Sequence, residues 1–166
     1  MELLHHNFEP VYNDHSRILI LGTFPSVKSR ETNFYYGHPQ NRFWRLMAEL
    51  TGEALPVTIP EKKALLLRHG IAIWDVIASC EIHGSSDSSI RNAVPNDINR
   101  ILSEAPIERI CANGSKAYEL YIRYCLPQTR REAIKLPSTS PANAAFSLEK
   151  LISIWSEEIK RIIGQP

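Results

Sequence analysis

Four short stretches of this 166-residue chain carry the residue types that chemistry needs. The first is Gly22-Thr-Phe-Pro-Ser26, followed by Tyr36-Gly-His-Pro-Gln-Asn-Arg-Phe-Trp44. A Gly-x-x-Pro turn lets backbone approach a ligand closely, because glycine has no Cβ and proline stiffens the bend. Its spacing is not that of a triphosphate-binding loop, which needs GxxxxGK[ST]. Tyr35, Tyr36, His38, Gln40, Asn41 and Arg42 then crowd polar and aromatic groups into one loop. Asn41 suits two tasks. Its NH₂ donates to a ligand while its carbonyl accepts from water or a ligand N–H; it equally suits the N-cap of the helix that follows. The second stretch is Gly70-Ile-Ala-Ile-Trp-Asp75, an apolar run ending in an acid. A carboxylate there accepts from a ligand N–H, activates water, or bonds only to nearby loop amides. The third is Asn113-Gly-Ser-Lys-Ala117 and the fourth Leu136-Pro-Ser-Thr-Ser-Pro141. Short hydroxyls between prolines suit contacts to phosphate.

The elements that must position these stretches read as alternating strands and helices. Arg17–Leu21, Gly70–Ile77, Ile107–Ala112 and Ala133–Leu136 are apolar with little alternation, the pattern of a parallel sheet covered on both faces. Helices are expected over Asn41–Leu50 (stopped by Gly52), Pro60–His69, Asn96–Ala105 (with Asn96 as cap), Ser115–Leu126 and Ser147–Ile163, which ends at Gly164. Ser147 and Lys150 form half a capping box, since lysine stands where an acid or amide belongs. The expected fold class is therefore α/β: a three-layer α/β/α sandwich around a mainly parallel four-stranded sheet. Every chemistry-bearing loop follows the carboxyl end of a strand, where such sheets gather their sites. There are no repeats, linkers or low-complexity tracts, so residues 1–166 read as one domain.

Composition narrows the class further. Hydrophobic content of 43% with 22% charged residues is that of an ordinary globular protein, and no apolar run is long enough for a bilayer. The start, Met-Glu-Leu-Leu-His-His, has no basic lead into an apolar run, so a cytoplasmic protein without a secretory leader is expected. Cys80, Cys111 and Cys125 are odd in number and lack CxxC spacing, which points to buried thiols and no metal. His5, His6, His15, His69 and His83 show no ligand spacing either. Net charge is +1, so any nucleic-acid contact rests on local clusters: Lys28/Arg30, Arg42/Arg45 and Arg130/Arg131/Lys135. Ser85–Ser89 reads as a flexible polar loop.

The four stretches together resemble the uracil-DNA glycosylase superfamily. Gly22–Ser26 and Tyr36–Trp44 look like the first motif region of mismatch-specific uracil/thymine-DNA glycosylases, a Gly-x-Asn-Pro-Gly turn followed by His-Pro-x-Asn-Arg-Phe-Trp. Gly70–Asp75 resembles the strand whose last residue reads the base edge. Asn113–Ala117 is similar to the Gly-Ser turn after the third strand, and Leu136–Pro141 to the His/Asn-Pro-Ser loop that presses on the DNA strand. The branch most resembled acts on deoxyinosine.

That resemblance implies a monofunctional DNA glycosylase that flips out and hydrolytically releases hypoxanthine or uracil, as a monomer and without cofactor. Its partner would be DNA containing a deaminated or mismatched base. It implies Asn41 and Asp75 as catalytic residues, with Gly22, Thr23, Phe24, Tyr36 and His38 around the base and Tyr36 stacking on it. Ser26, Ser115, Lys116, Pro137, Ser138, Thr139 and Ser140 would contact DNA. Two departures matter: Phe24 stands where the superfamily usually has its catalytic Asp or Asn, and Leu136 replaces a histidine. Asn41 carries the chemistry in the deoxyinosine branch; otherwise the chain is a weak or inactive DNA-binding module, and a hydrolase of free nucleosides is a third reading.

Overall fold

The computed structural model describes residues 2–82 and 89–163; His83, most of the Ser85–Ser89 run and Gly164 lie outside them. In chain order the elements are β1 (Glu2–His5), β2 (Ile18–Gly22), α1 (Val27–Thr32), α2 (Phe43–Thr51), α3 (Ile59–Arg68) and β3 (Ile71–Asp75). They continue with β4 (Ile77–Ile82), β5 (Arg91–Pro95), α4 (Asn99–Glu104), β6 (Arg109–Asn113), α5 (Ser115–Leu120), a π turn (Tyr121–Cys125), α6 (Leu126–Thr129), β7 (Ala133–Leu136) and α7 (Leu148–Ile163).

The expected sheet is present: four parallel strands in the order β3-β2-β6-β7. All five residues of β2 and of β3 are buried. Successive strand side chains point to opposite faces, so both faces of the sheet centre are covered. Leu151, Trp155 and Ile159 of α7 recur at four-residue spacing and are fully buried, with Trp155 meeting Phe43 of α2 edge-on. Cys80, Cys111 and Cys125 are buried cysteines outside any disulfide, and burial pushes the Cys111 and Cys125 thiols up to about 12. Among the described residues, no helix is long and apolar enough to cross a membrane.

Three expectations need correction. The Gly70–Ile77 run is not one strand: its ladder with β2 ends at the Gly22–Asp75 pair, and the chain then leaves for another sheet. Asn96 helps to make that break. Its side chain donates to the Asp75 carbonyl at 2.8 Å and its N–H to Val76 O, so it does not cap α4, which starts only at Asn99. The second sheet, β1-β4-β5, is antiparallel and has no counterpart in the sequence pattern, because its strands are partly exposed and its register is broken by irregularities. The Ser115–Leu126 helix is split by the π turn, next to Pro127, which lacks the N–H that would continue the α ladder.

Local signals explain the other boundaries. Thr58 and Glu61 close a reciprocal capping box at α3, one residue before the expected start. Ser147 Oγ accepts from Lys150 N–H, the half of the box that lysine permits. Asn41 lies one residue outside the N-cap of α2, yet its Oδ1 accepts from Phe43 N–H at 2.9 Å.

Candidate active site

The carboxyl ends of the parallel strands open on a cavity of about 350 Å³. Its walls come from the loop after β2, the 38–41 segment, the ends of β3 and β6, and the loop after β7. This is where an open parallel sheet builds its sites, and the size suits one small ring system.

One wall is a chain of neutral polar groups. Asn113, ending β6, donates its amide to Thr139 Oγ1 (3.1 Å) and accepts from Thr139 N–H (3.0 Å). Thr139 Oγ1 in turn donates to Asn41 Oδ1 at 2.8 Å. Since Phe43 N–H also points at that oxygen, the Asn41 amide has one permitted orientation. Its carbonyl takes two donors, and its NH₂ is left to donate at the cavity wall. Arg42 braces this arrangement from outside. Its N–H and side chain reach four carbonyls of the 139–146 segment, among them Ser140 O (2.9 Å), Asn143 O (3.2 Å) and Phe146 O.

Another part of the wall is a buried carboxylate. Asp75 is 4% exposed and is the one acid lining the cavity among the described residues. Its Oδ2 lies 2.8 Å from His6 Nε2, and its Oδ1 sits so close over Gly22 that a Cβ there would come within 2.5 Å. Only glycine permits that approach. The Tyr36 ring stacks on Phe43 with centroids 4.0 Å apart, leaving its remaining surface for the cavity. Tyr36 adopts φ of +53°, strained for a bulky residue. Ser29 Oγ, accepting from Gly37 N–H at 2.9 Å, helps to hold the bend. The Tyr36 hydroxyl is buried and makes no hydrogen bond of good geometry among the described residues. Burial first, and the Asp75 charge second, push it well above the ordinary phenol range.

A second cavity of about 540 Å³ adjoins the first, sharing Thr23, Asn113, Ser138, Ser140 and Ala142 with it. Lys116, Ser115 and Pro137 line it, together with Lys135. Leu136, buried, gives it an apolar floor.

The family model described as "Uracil DNA glycosylase superfamily" matches residues 9–157. The chain belongs to that superfamily. It is similar to proteins named hypoxanthine DNA glycosylase from Methanosarcina acetivorans (38% identity, 87% of this chain and 92% of the relative) and Methanosarcina barkeri (34%, 93% and 97%). It is also similar to a candidate uracil DNA glycosylase of Methanosarcina acetivorans solved by solution NMR (TM-score 0.75, 34% identity, 90% of this chain and 95% of that one).

Within the superfamily frame, the structure gathers Gly22, Thr23, Phe24, Ser26, Tyr36, His38, Asn41 and Asp75 around the first cavity. Phe24 is buried at the wall, edge-on to His6 and under the Arg30 guanidinium. His38 Nδ1 accepts from Gln40 N–H, so a neutral His38 presents its Nε2–H. Ser26 caps α1, accepting from Ser29 N–H and donating to Ser29 Oγ, so its own proton is used inside the protein. Thr139 is the clear correction: expected on the DNA strand, it is 1% exposed with its hydroxyl given to Asn41. Arg42 is likewise committed to its own loop rather than forming a surface pair with Arg45. Ser138 and Ser140 accept from Ser140 N–H and Ala142 N–H and keep their hydroxyl protons for a ligand.

Three site residues escape sequence reasoning. Asn113 reads as the start of the Gly-Ser turn stretch, with no sign of its bonds to Thr139. Arg42 reads as part of a basic cluster for nucleic acid, with no sign of the carbonyls it gathers. His6 stands among histidines without ligand spacing, and nothing in the pattern marks it.

Proposed function

We propose that this chain is a monofunctional DNA glycosylase of base-excision repair that releases hypoxanthine from DNA, the base being flipped into the first cavity. The observation that carries the reading is the Asn41 amide, locked by Phe43 N–H and Thr139 Oγ1 with its NH₂ at the cavity wall. Glycosidic cleavage that is largely dissociative leaves a cationic sugar and a base gaining negative charge. A preorganised donor at that base lowers the barrier without an acid. The relatives named hypoxanthine DNA glycosylase span nearly the whole chain, which supports the choice of base.

The proposed division of labour differs from the one expected from the sequence. Asn41 Oδ1 already accepts two hydrogen bonds, so it has no lone pair left to place water. The charged acceptor at the wall, Asp75, takes that task and offsets the cationic sugar. Tyr36, backed by Phe43, is the platform on which the extruded ring stacks. Ser138, Ser140, Ser115 and Lys116 hold the flanking phosphates from the second cavity. Phe24 and Leu136 then carry shape rather than chemistry.

The test is excision from end-labelled duplexes containing one deoxyinosine, deoxyuridine, xanthine or T·G mismatch, with alkali to cleave abasic products. Deoxyinosine should be processed best, Asn41→Ala should abolish most product, and no strand should break before alkali. No product from any substrate would leave an inactive binding module; equal release from free deoxyinosine would point to a nucleoside hydrolase.

A further inference from the structure

His6 is drawn inside the protein, and nothing in the local sequence accounts for it. It follows β1 directly, its N–H donating to Ala78 O at 2.7 Å. The imidazole is boxed by rings: Phe8 at 4.7 Å, Tyr35 at 5.8 Å and Phe24 at 6.1 Å between centroids. The His6 and Asp75 side chains are 4% and 6% exposed, and Nε2 to Oδ2 is 2.8 Å. His6 does not line the cavity, so whatever it does there it does through Asp75.

The other ring nitrogen decides how. Nδ1 is buried and has no hydrogen-bond partner among the described residues. An imidazolium would carry a proton on Nδ1 with nothing among them to receive it. A protonated Asp75 donating to Nε2 would force the same buried, unsatisfied N–H. Leaving a buried donor unpaired is costly, whereas the neutral Nε2–H tautomer leaves only a lone pair. His6 therefore donates to a carboxylate, and no second partner among the described residues passes a proton onward. Asp75 meanwhile has Gly22 packed against Oδ1, so the bond to Oδ2 fixes the remaining freedom of the carboxylate plane.

We infer that His6 is a positioning residue for base excision: its Nε2–H holds the Asp75 carboxylate in the one orientation that serves the cavity, making residues 2–9 part of the active-site scaffold. This rests on the reading of Asp75 as the working carboxylate. The arm is anchored without His6. Asn7 Nδ2 donates to Asn33 Oδ1 (2.7 Å), Tyr35 Oη donates to Glu9 O (2.9 Å), and Val11 pairs with Ile73. Losing one imidazole bond therefore leaves the segment docked.

The experiment is single-turnover excision of deoxyinosine from duplex DNA by the full chain, for His6→Phe, His6→Gln, Asp75→Asn and the double variant His6→Phe/Asp75→Asn. His6→Phe keeps an aromatic ring in the box but has no donor. The rate constant should fall about tenfold, the scale of one hydrogen bond to a charged group, with DNA affinity within about twofold. His6→Gln, whose amide reaches the place of Nε2, should recover most of that rate. In the Asp75→Asn background, His6→Phe should cost less than about twofold, since the carboxylate whose work depends on that orientation is gone. Equal losses in both backgrounds, or a glutamine no better than phenylalanine, would overturn the inference and leave His6 a packing residue. An active wild type with His6→Phe at full rate overturns it while the proposed function stands. A wild type inactive on every substrate overturns the function and this inference with it.

Discussion

The two polar walls of the cavity are built by opposite means. At Asn41 the protein uses hydrogen bonds: Asn113, Thr139 and Phe43 N–H form a chain that leaves the amide one orientation. At Asp75 it uses burial, seating a carboxylate over Gly22 with one imidazole, itself boxed by aromatic rings, as its side-chain donor among the described residues. The difference follows from the groups. An amide has two unlike ends, and the wrong end at the substrate would repel rather than stabilise a departing anion. A carboxylate has like ends; what it needs is a plane and a low-dielectric setting in which its charge acts at range. That range is visible in Tyr35 and Tyr36, whose hydroxyls are held up by burial and then by the Asp75 charge, so both stay neutral throughout the working pH range.

The sharpest way to break this contrast is Asn41→Asp. Aspartate keeps the acceptor for Phe43 N–H and Thr139 Oγ1 and nearly the same shape, but it has no NH₂. Excision should fall about 10²–10³-fold, the cost of one preorganised donor, with the melting temperature nearly unchanged. A near-normal rate in this variant would mean that the carbonyl end, not the NH₂, does the work at that wall. On the other wall, Gly22→Ala places a Cβ within 2.5 Å of Asp75 Oδ1 and 3.1 Å of the Tyr36 hydroxyl oxygen. The carboxylate must turn off its plane. A rate loss of about 10–100-fold and about 1–3 kcal/mol of destabilisation should follow, read by single-turnover kinetics and thermal melting.

The contrast also explains what the sequence discloses. The four parallel strands are legible because burial on both faces writes an uninterrupted apolar run, as in Ile18–Leu21. That Asn41, Tyr36 and Asp75 meet at one cavity is legible because their motifs resemble a known family. The supports are not, because they are distant in sequence: His6 lies 69 residues from Asp75, Asn113 lies 26 from Thr139, and Arg42 reaches Phe146 across 104. A histidine in Leu-Leu-His-His has no local mark of where a tertiary turn will put it. The β1-β4-β5 sheet is hidden for a related reason: its register is broken by bulges, and β5 is half-exposed, so no clean alternation survives. Asn96 and Thr139 show the same limit in reverse, since each has a good local role, cap and phosphate contact, that a tertiary partner takes away.

Thr139→Val tests the relay in the Asn41 wall with almost no change of shape. It removes one of the two donors to Asn41 and leaves the Asn113 amide without its acceptor. Because both groups are buried, about 1–3 kcal/mol of stability should be lost. The excision rate should fall about tenfold through the freed amide, less than Asn41→Asp because Phe43 N–H still orients the side chain. A drop in DNA affinity with the rate intact would return Thr139 to the phosphate contact that the sequence suggested.

Arg42→Met should have the smallest effect, and it separates bracing from binding. The carbonyls that Arg42 gathers belong to a partly exposed loop, so water can replace much of what is lost. DNA affinity should weaken about two- to fivefold, the scale of one ordinary hydrogen bond, as the loop bearing Ser138 and Ser140 loosens. The salt dependence carries the decision. A cation on a phosphate releases counterions, so its removal lowers the slope of log affinity against log salt by about one. Lys116→Ala, at the second cavity, should show that change. Arg42→Met should not, since its charge is turned into the protein and serves the Asn41 wall; a reduced slope would make Arg42 part of the DNA surface and leave that wall held by Asn113, Thr139 and Phe43 N–H.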